Sequence, residues 1–136
     1  MPRITHALDT SALIVYLREE PGHERFVGLL KQEESYFAMH IINLGELYHS
    51  FWRSDGENKA NEAWSKTTEM PIRIIDSVSE SFIKRVGRWV ATQGTPYADA
   101  FVLATAEEYG VPLVTTDHQH FDPIESAGLL QFCWLR

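Results

Sequence analysis

Between Thr95 and Phe121 the chain reads TPYADAFVLATAEEYGVPLVTTDHQHF, and this stretch constrains the fold more than any other. It specifies a helix, a tight turn and a buried strand that ends in an acid. Thr95 is expected to cap the helix, with Pro96 at the first helical position. Gly110 suits the left-handed residue after the helix, and Pro112 prevents its continuation. Leu113, Val114, Thr115 and Thr116 form a short, mostly β-branched run that Asp117 stops.

Asp99 is out of place in this pattern. On a helical wheel it shares a face with Val102, Leu103 and Ala106, the face expected to pack inward. A carboxylate there is costly unless something compensates it. Its position in the first helical turn contributes only ~0.3–1 kcal/mol through the helix dipole, so a stronger partner is expected. Asp117 ends a core strand and is acidic too. A divalent metal between such acids is the economical explanation.

The remainder of the chain repeats the alternation of strand and helix. Ile4 to Leu8 reads as a buried strand ending in Asp9, followed by Thr10, Ser11 and a helical pattern from Ala12 to about Arg18. Pro21-Gly22 turns the chain into a second helix, about His23 to Glu34. Tyr36 to Met39 is the next strand. A third helix, about Ile42 to Arg53, carries Leu44, Leu47, Tyr48 and Phe51 on one stripe. Ser54-Asp55-Gly56 breaks it, and Asn58 to about Thr68 forms a polar fourth helix anchored by Trp64. Ile72 to Ile75 is the third strand. Ser77 to Glu80 has the form of a capping box for a fifth helix bearing Phe82, Val86, Trp89 and Val90. A helical turn is expected near Ile124 to Ala127, and Leu130 to Leu135 supplies a fifth strand. This order is that of an α/β domain with a mainly parallel sheet covered on both faces. There is no internal repeat, low-complexity segment or linker.

Length and composition narrow the classes. At 136 residues and 44% hydrophobic, the chain is expected to form one globular domain over residues 1–136. Its single cysteine, Cys133, cannot form an internal disulfide; it is expected in the core, and the protein in a reducing compartment, the cytoplasm. No apolar segment suits a signal peptide or membrane span. The net charge of −7 argues against a non-specific nucleic-acid binder, unless the acids are gathered in a metal site.

In open α/β sheets, ligands collect at the carboxyl ends of strands. Asp9 and Asp117 both stand there, and Asp99 starts the helix that feeds the strand of Asp117. Each has a purely local alternative: a helix cap for Asp9, a turn former for Asp117, a buried hydrogen-bonded acid for Asp99. Glu46 falls opposite the apolar stripe of its helix, and by periodicity alone it faces solvent. Asp76 and Asp122 read as turn chemistry. His118 and His120 form an H-x-H pair, a weak zinc signal without further ligands, and are expected in a loop beside the acids. Lys84, Arg85 and Arg88 share a helix and are read as a solvated face, with phosphate contact as the alternative. Phe51, Trp52 and Trp64 suit either core or a partner surface.

Taken together, LDTSALI around Asp9, INLGELYHS around Glu46, YADAFVLATAEEYGVPLVTTD from Asp99 to Asp117, and TTDHQHF resemble a PIN domain. The likeness is closest to the VapC-type toxins of toxin–antitoxin pairs, and it runs from the first strand to the last. It implies a three-layer α/β/α fold whose five-stranded parallel sheet has the order 3-2-1-4-5. It implies that Glu46 turns toward the acidic cleft despite the wheel, and that Asp9, Glu46, Asp99 and Asp117 hold Mg2+ or Mn2+ and are the catalytic set. Thr116, Ser11 and Thr10 would be supporting hydroxyls. The implied activity is metal-dependent RNA cleavage; the implied partners are the RNA, a cognate antitoxin and a second copy of the chain. His118-Gln119-His120 is richer in histidine than the family pattern. Two other readings of an aspartate after the first strand are weaker. A haloacid-dehalogenase-like phosphatase would want an acid where Ser11 stands, and a receiver domain would want paired acids and a later lysine. An inert binding module is the remaining alternative.

Overall fold

The computed structural model describes residues 2–136. Its sheet is built from β1 (His6–Leu8), β2 (Phe37–His40), β3 (Ile72–Ile75), β4 (Leu113–Thr115) and β5 (Phe132–Trp134), in the order β3-β2-β1-β4-β5. All four pairings are parallel, as expected when each strand returns through a helical crossover. The helices are α1 (Thr10–Leu17), α2 (His23–Lys31), α3 (Ile41–Asp55), α4 (Glu57–Thr68), α5 (Glu80–Gln93), α6 (Tyr97–Tyr109) and α7 (His118–Ser126).

Strand alternation sorts the core into two layers. Leu8 and Val114 join Leu13, Phe26, Leu44, Leu47 and Ala60 under α1 to α4. Their neighbours Ala7 and Leu113 face the other way, against Phe82, Val86, Phe101, Leu103 and Phe121 of α5 to α7. The inner strands β1, β2 and β4 are therefore apolar on both sides, which is why they read as continuous apolar runs. The three-layer architecture and the strand order are those expected. Among the described residues, no helix is long and apolar enough to cross a membrane.

Several local expectations are corrected. Pro96, not Thr95, occupies the capping position of α6; its extended backbone (ψ 146°) delays the helix to Tyr97. Ser79 rather than Ser77 caps α5, its hydroxyl accepting from the Phe82 amide at 3.1 Å. The Ser77 carbonyl instead accepts from His40 Nε2 at 3.4 Å. The buried face of α4 is Ala60, Ala63 and Thr67, and Trp64 is only half-covered, edge-on to Tyr48. Cys133 is half-buried beside the first core rather than within it.

The largest departure is α7. The loop expected around His118 and the turn expected at Asp122-Pro123 are one continuous helix with Pro123 inside it. A proline in a helix interior costs about 3 kcal/mol. Burying Phe121 and Ile124, at about 1.5–3 kcal/mol each, offsets that.

Candidate active site

The pairing of β1 with β4 sets the site. Leu8 lies in register with Val114, and the Asp9 amide donates to the Val114 carbonyl at 3.1 Å. The two chains leave the sheet side by side, one with Asp9 and one with Thr115 to Asp117. Asp9 stands at the start of α1 but does not cap it. Asp9 is only 4% exposed, and its Oδ2 accepts from Ser11 Oγ at 2.7 Å and Thr115 Oγ1 at 2.8 Å. Burial pushes this carboxyl above the usual range; the two hydroxyl donors oppose the shift, and the charges of Asp117 and Glu46 add to it.

Asp99 arrives from the first turn of α6. Burial, then the charge of Asp9, raises its carboxyl to about 7, against the opposing pull of His120. Asp117 caps α7, its Oδ1 accepting from the His120 amide at 3.1 Å. The His120 ring lies between the two acids, with Nδ1 2.7 Å from Asp117 Oδ2 and 3.3 Å from Asp99 Oδ2. Carboxylates only accept, so Nδ1 carries the proton. The hydrogen bond to Asp117 is the main reason that His120 holds its proton more tightly than usual.

Glu46 comes from α3 and turns toward these acids rather than to solvent. Its Oε1 accepts from Asn43 Nδ2 at 3.1 Å and Thr10 Oγ1 at 3.2 Å. The wheel failed because α3 is covered on two sides. Leu44, Leu47 and Phe51 face the first core, while Asn43 meets the start of α6 through the Ala98 carbonyl, 2.9 Å from its Nδ2.

Of the three expected hydroxyls, Ser11 touches Asp9 and Thr10 touches Glu46. Thr116 instead contributes its peptide N–H, to Ser11 Oγ at 3.0 Å. The third hydroxyl at the acids is that of Thr115, which sequence reasoning missed, as it missed Asn43. Alternation in β4 held the only signal: of two successive threonines, one had to point inward. The H-x-H pair also divides. Positions two apart on a helix do not share a face. His120 faces the acids, while His118 stacks on Trp134 with ring centroids 3.8 Å apart. His118 also bonds Asp122 Oδ1 at 2.7 Å and the Arg136 carbonyl at 2.8 Å. Lys84 pairs with Glu80, and Arg85 and Arg88 with Glu107, away from the site.

Single donor atoms of Asp99, Asp117 and His120 lie within 4.8 Å of one another. Among the described residues, His120 is the only basic partner of Asp99 and Asp117. Carboxylate oxygens gathered in this way form a donor set that suits a hard divalent cation.

A family model for the PIN domain matches residues 7–125. The chain belongs to the PIN-domain family. That span includes all four acids, and it sets aside the phosphatase and receiver readings. No curated protein matches the sequence at a significant level. This PIN domain shares its fold with VapBC2 from Rickettsia felis, solved bound to a promoter DNA fragment (18% identity, covering 96% of this chain and 98% of that one, TM-score 0.73). A second structure is Mycobacterium tuberculosis VapC20, described as a toxin that cleaves the sarcin–ricin loop (16% identity, 93% and 96% covered, TM-score 0.72). A third is VapBC-1 from nontypeable Haemophilus influenzae (22% identity, 97% and 98% covered, TM-score 0.69).

Proposed function

We propose that this PIN domain is a Mg2+- or Mn2+-dependent endoribonuclease and the toxin of a VapBC-like toxin–antitoxin pair. One observation supports this above the others. Asp9, Glu46, Asp99 and Asp117, from four separate segments, turn toward one another, and burial raises the carboxyls of Asp9 and Asp99. Asp9 and Asp99 would hold the ion directly, with Glu46 and Asp117 completing the set. Bound there, the ion supplies Lewis acidity toward a phosphoryl oxygen and acidifies water.

The chain's own residues do the positioning. Ser11 and Thr115 fix Asp9 through one carboxylate oxygen, and Thr10 and Asn43 fix Glu46 in the same way. His120 holds a proton between Asp99 and Asp117, a provisional counter-charge for acids that would otherwise repel each other and RNA. RNA as substrate is supported by the fold shared with a toxin described as cleaving the sarcin–ricin loop. An antitoxin partner is supported by the fold shared with toxin–antitoxin complexes, including one from Salmonella typhimurium solved bound to DNA. Residues 1–136 would act as one nuclease domain, paired with a second copy.

The test is cleavage of a fluorogenic RNA by the purified protein with Mn2+, with Mg2+ and with EDTA. Asp9→Asn and Asp99→Asn should each abolish cleavage while leaving the circular dichroism spectrum unchanged. Full cleavage by both variants, or cleavage that survives EDTA, would refute the assignment.

A further inference from the structure

Asn43 is fully buried, and its amide is spent in one direction. Nδ2 donates to Glu46 Oε1 at 3.1 Å and to the Ala98 carbonyl at 2.9 Å. Its backbone carbonyl accepts from Thr10 Oγ1 at 2.9 Å, and that hydroxyl also reaches Glu46. Asn43 therefore touches the residue after Asp9, the carboxylate of Glu46 and the residue before Asp99. It ties together three of the four acid-bearing segments.

Its other amide atom, Oδ1, is buried with no hydrogen-bond partner among the described residues. Buried polar atoms are rarely left in this state, because the desolvation penalty goes uncompensated. Turning the amide over would not relieve it. The oxygen would then face two acceptors, Glu46 Oε1 and the Ala98 carbonyl. The orientation is thus fixed by what Nδ2 must donate to, at the expense of an orphaned carbonyl. A side chain selected for stability alone would have been apolar here.

From this we infer that Asn43 is the positioning residue for Glu46, holding its carboxylate at a set distance from Asp99 so that both face one bound cation. The inference rests on the metal-dependent reading of the site and adds to it a residue that touches neither substrate nor ion. A partner that orients a metal-facing carboxylate is worth about tenfold to a hundredfold in metal affinity.

Calorimetric titration with Mn2+ alone tests this as a double-mutant cycle of Asn43→Leu and Glu46→Gln. Asn43→Leu should weaken Mn2+ binding about tenfold or more in the wild-type background and by less than about threefold when Glu46 is already Gln. Asn43→Ser, which keeps a donor on the same helical face, should recover most of the affinity. Melting curves accompany each variant, and Asn43→Ala replaces Asn43→Leu in the cycle if the leucine variant does not fold. An equal loss in both backgrounds would show a merely structural role, and no loss in the wild-type background would remove any role; either overturns the inference. Failure of the wild-type protein to bind Mn2+ would overturn the metal-dependent reading itself, a result distinct from both.

Discussion

The Thr115 hydroxyl donates to Asp9 Oδ2 at 2.8 Å, joining the ends of β4 and β1 across the centre of the sheet. Thr115 Oγ1 in turn accepts from the Asp117 amide at 3.0 Å, so one side chain reaches two of the acid-bearing residues. Thr115→Val keeps the shape and removes both bonds. The Asp9 carboxyl, already raised by burial, should rise further and compete less well for metal at neutral pH. Mn2+ affinity should fall about tenfold or more in a calorimetric titration. Unchanged affinity at pH 7 would show that the hydroxyl is incidental.

Asp99 gives the cluster a defined pH response. Its carboxyl is raised to about 7, above its value in an unfolded chain. The protonated form therefore favours folding, and this contribution is lost as pH rises through 7. In EDTA, Asp99→Asn should melt close to the wild type at pH 5 and above it at pH 8. A stability difference that is flat between those pH values would contradict the raised pKa.

Metal should reverse that destabilisation. At a free Mn2+ concentration a hundred times the dissociation constant, the folded state gains about 2.7 kcal/mol by mass action. The melting temperature at pH 8 should rise with Mn2+ and fall back with EDTA. In Asp9→Asn and Asp99→Asn the rise should be largely lost. An equal rise in these variants would place the ion elsewhere.

The two histidines of α7 should behave differently. Both ring nitrogens of His118 face acceptors, the Arg136 carbonyl and Asp122, and these raise its pKa in that order. Its contribution to stability is full below pH 6.5 and is lost as pH rises through the folded value. His118→Ala should lower the melting temperature more at pH 6 than at pH 8, with Mn2+ binding unchanged. His120→Ala should alter Mn2+ binding at neutral pH. Equivalent effects on binding would refute this division of roles.

The alternation of apolar strands with amphipathic helices was enough to read an α/β sheet covered on both faces. The position of Asp99 among Val102, Leu103 and Ala106 was enough to mark a partly buried acid. Glu46 was not readable from periodicity, because the wheel assumes one packed face and α3 has two. The helix α7 was hidden by Pro123, whose local preference is overridden by the burial of Phe121 and Ile124. Thr115 could not be told from Thr116 without knowing which way β4 entered the sheet. The strand order itself came from the family likeness, since period and spacing do not say which strands are neighbours.

The β1–β4 adjacency has a consequence for biosynthesis. The first acid is made within the opening strand–helix unit, yet the hydroxyl that orients it lies 106 positions downstream, in the fourth strand. A ribosome must therefore pass the fourth strand before the cluster can close. Until β4 has been made, Asp9 has only one of the two hydroxyls that hold it, that of its near neighbour Ser11.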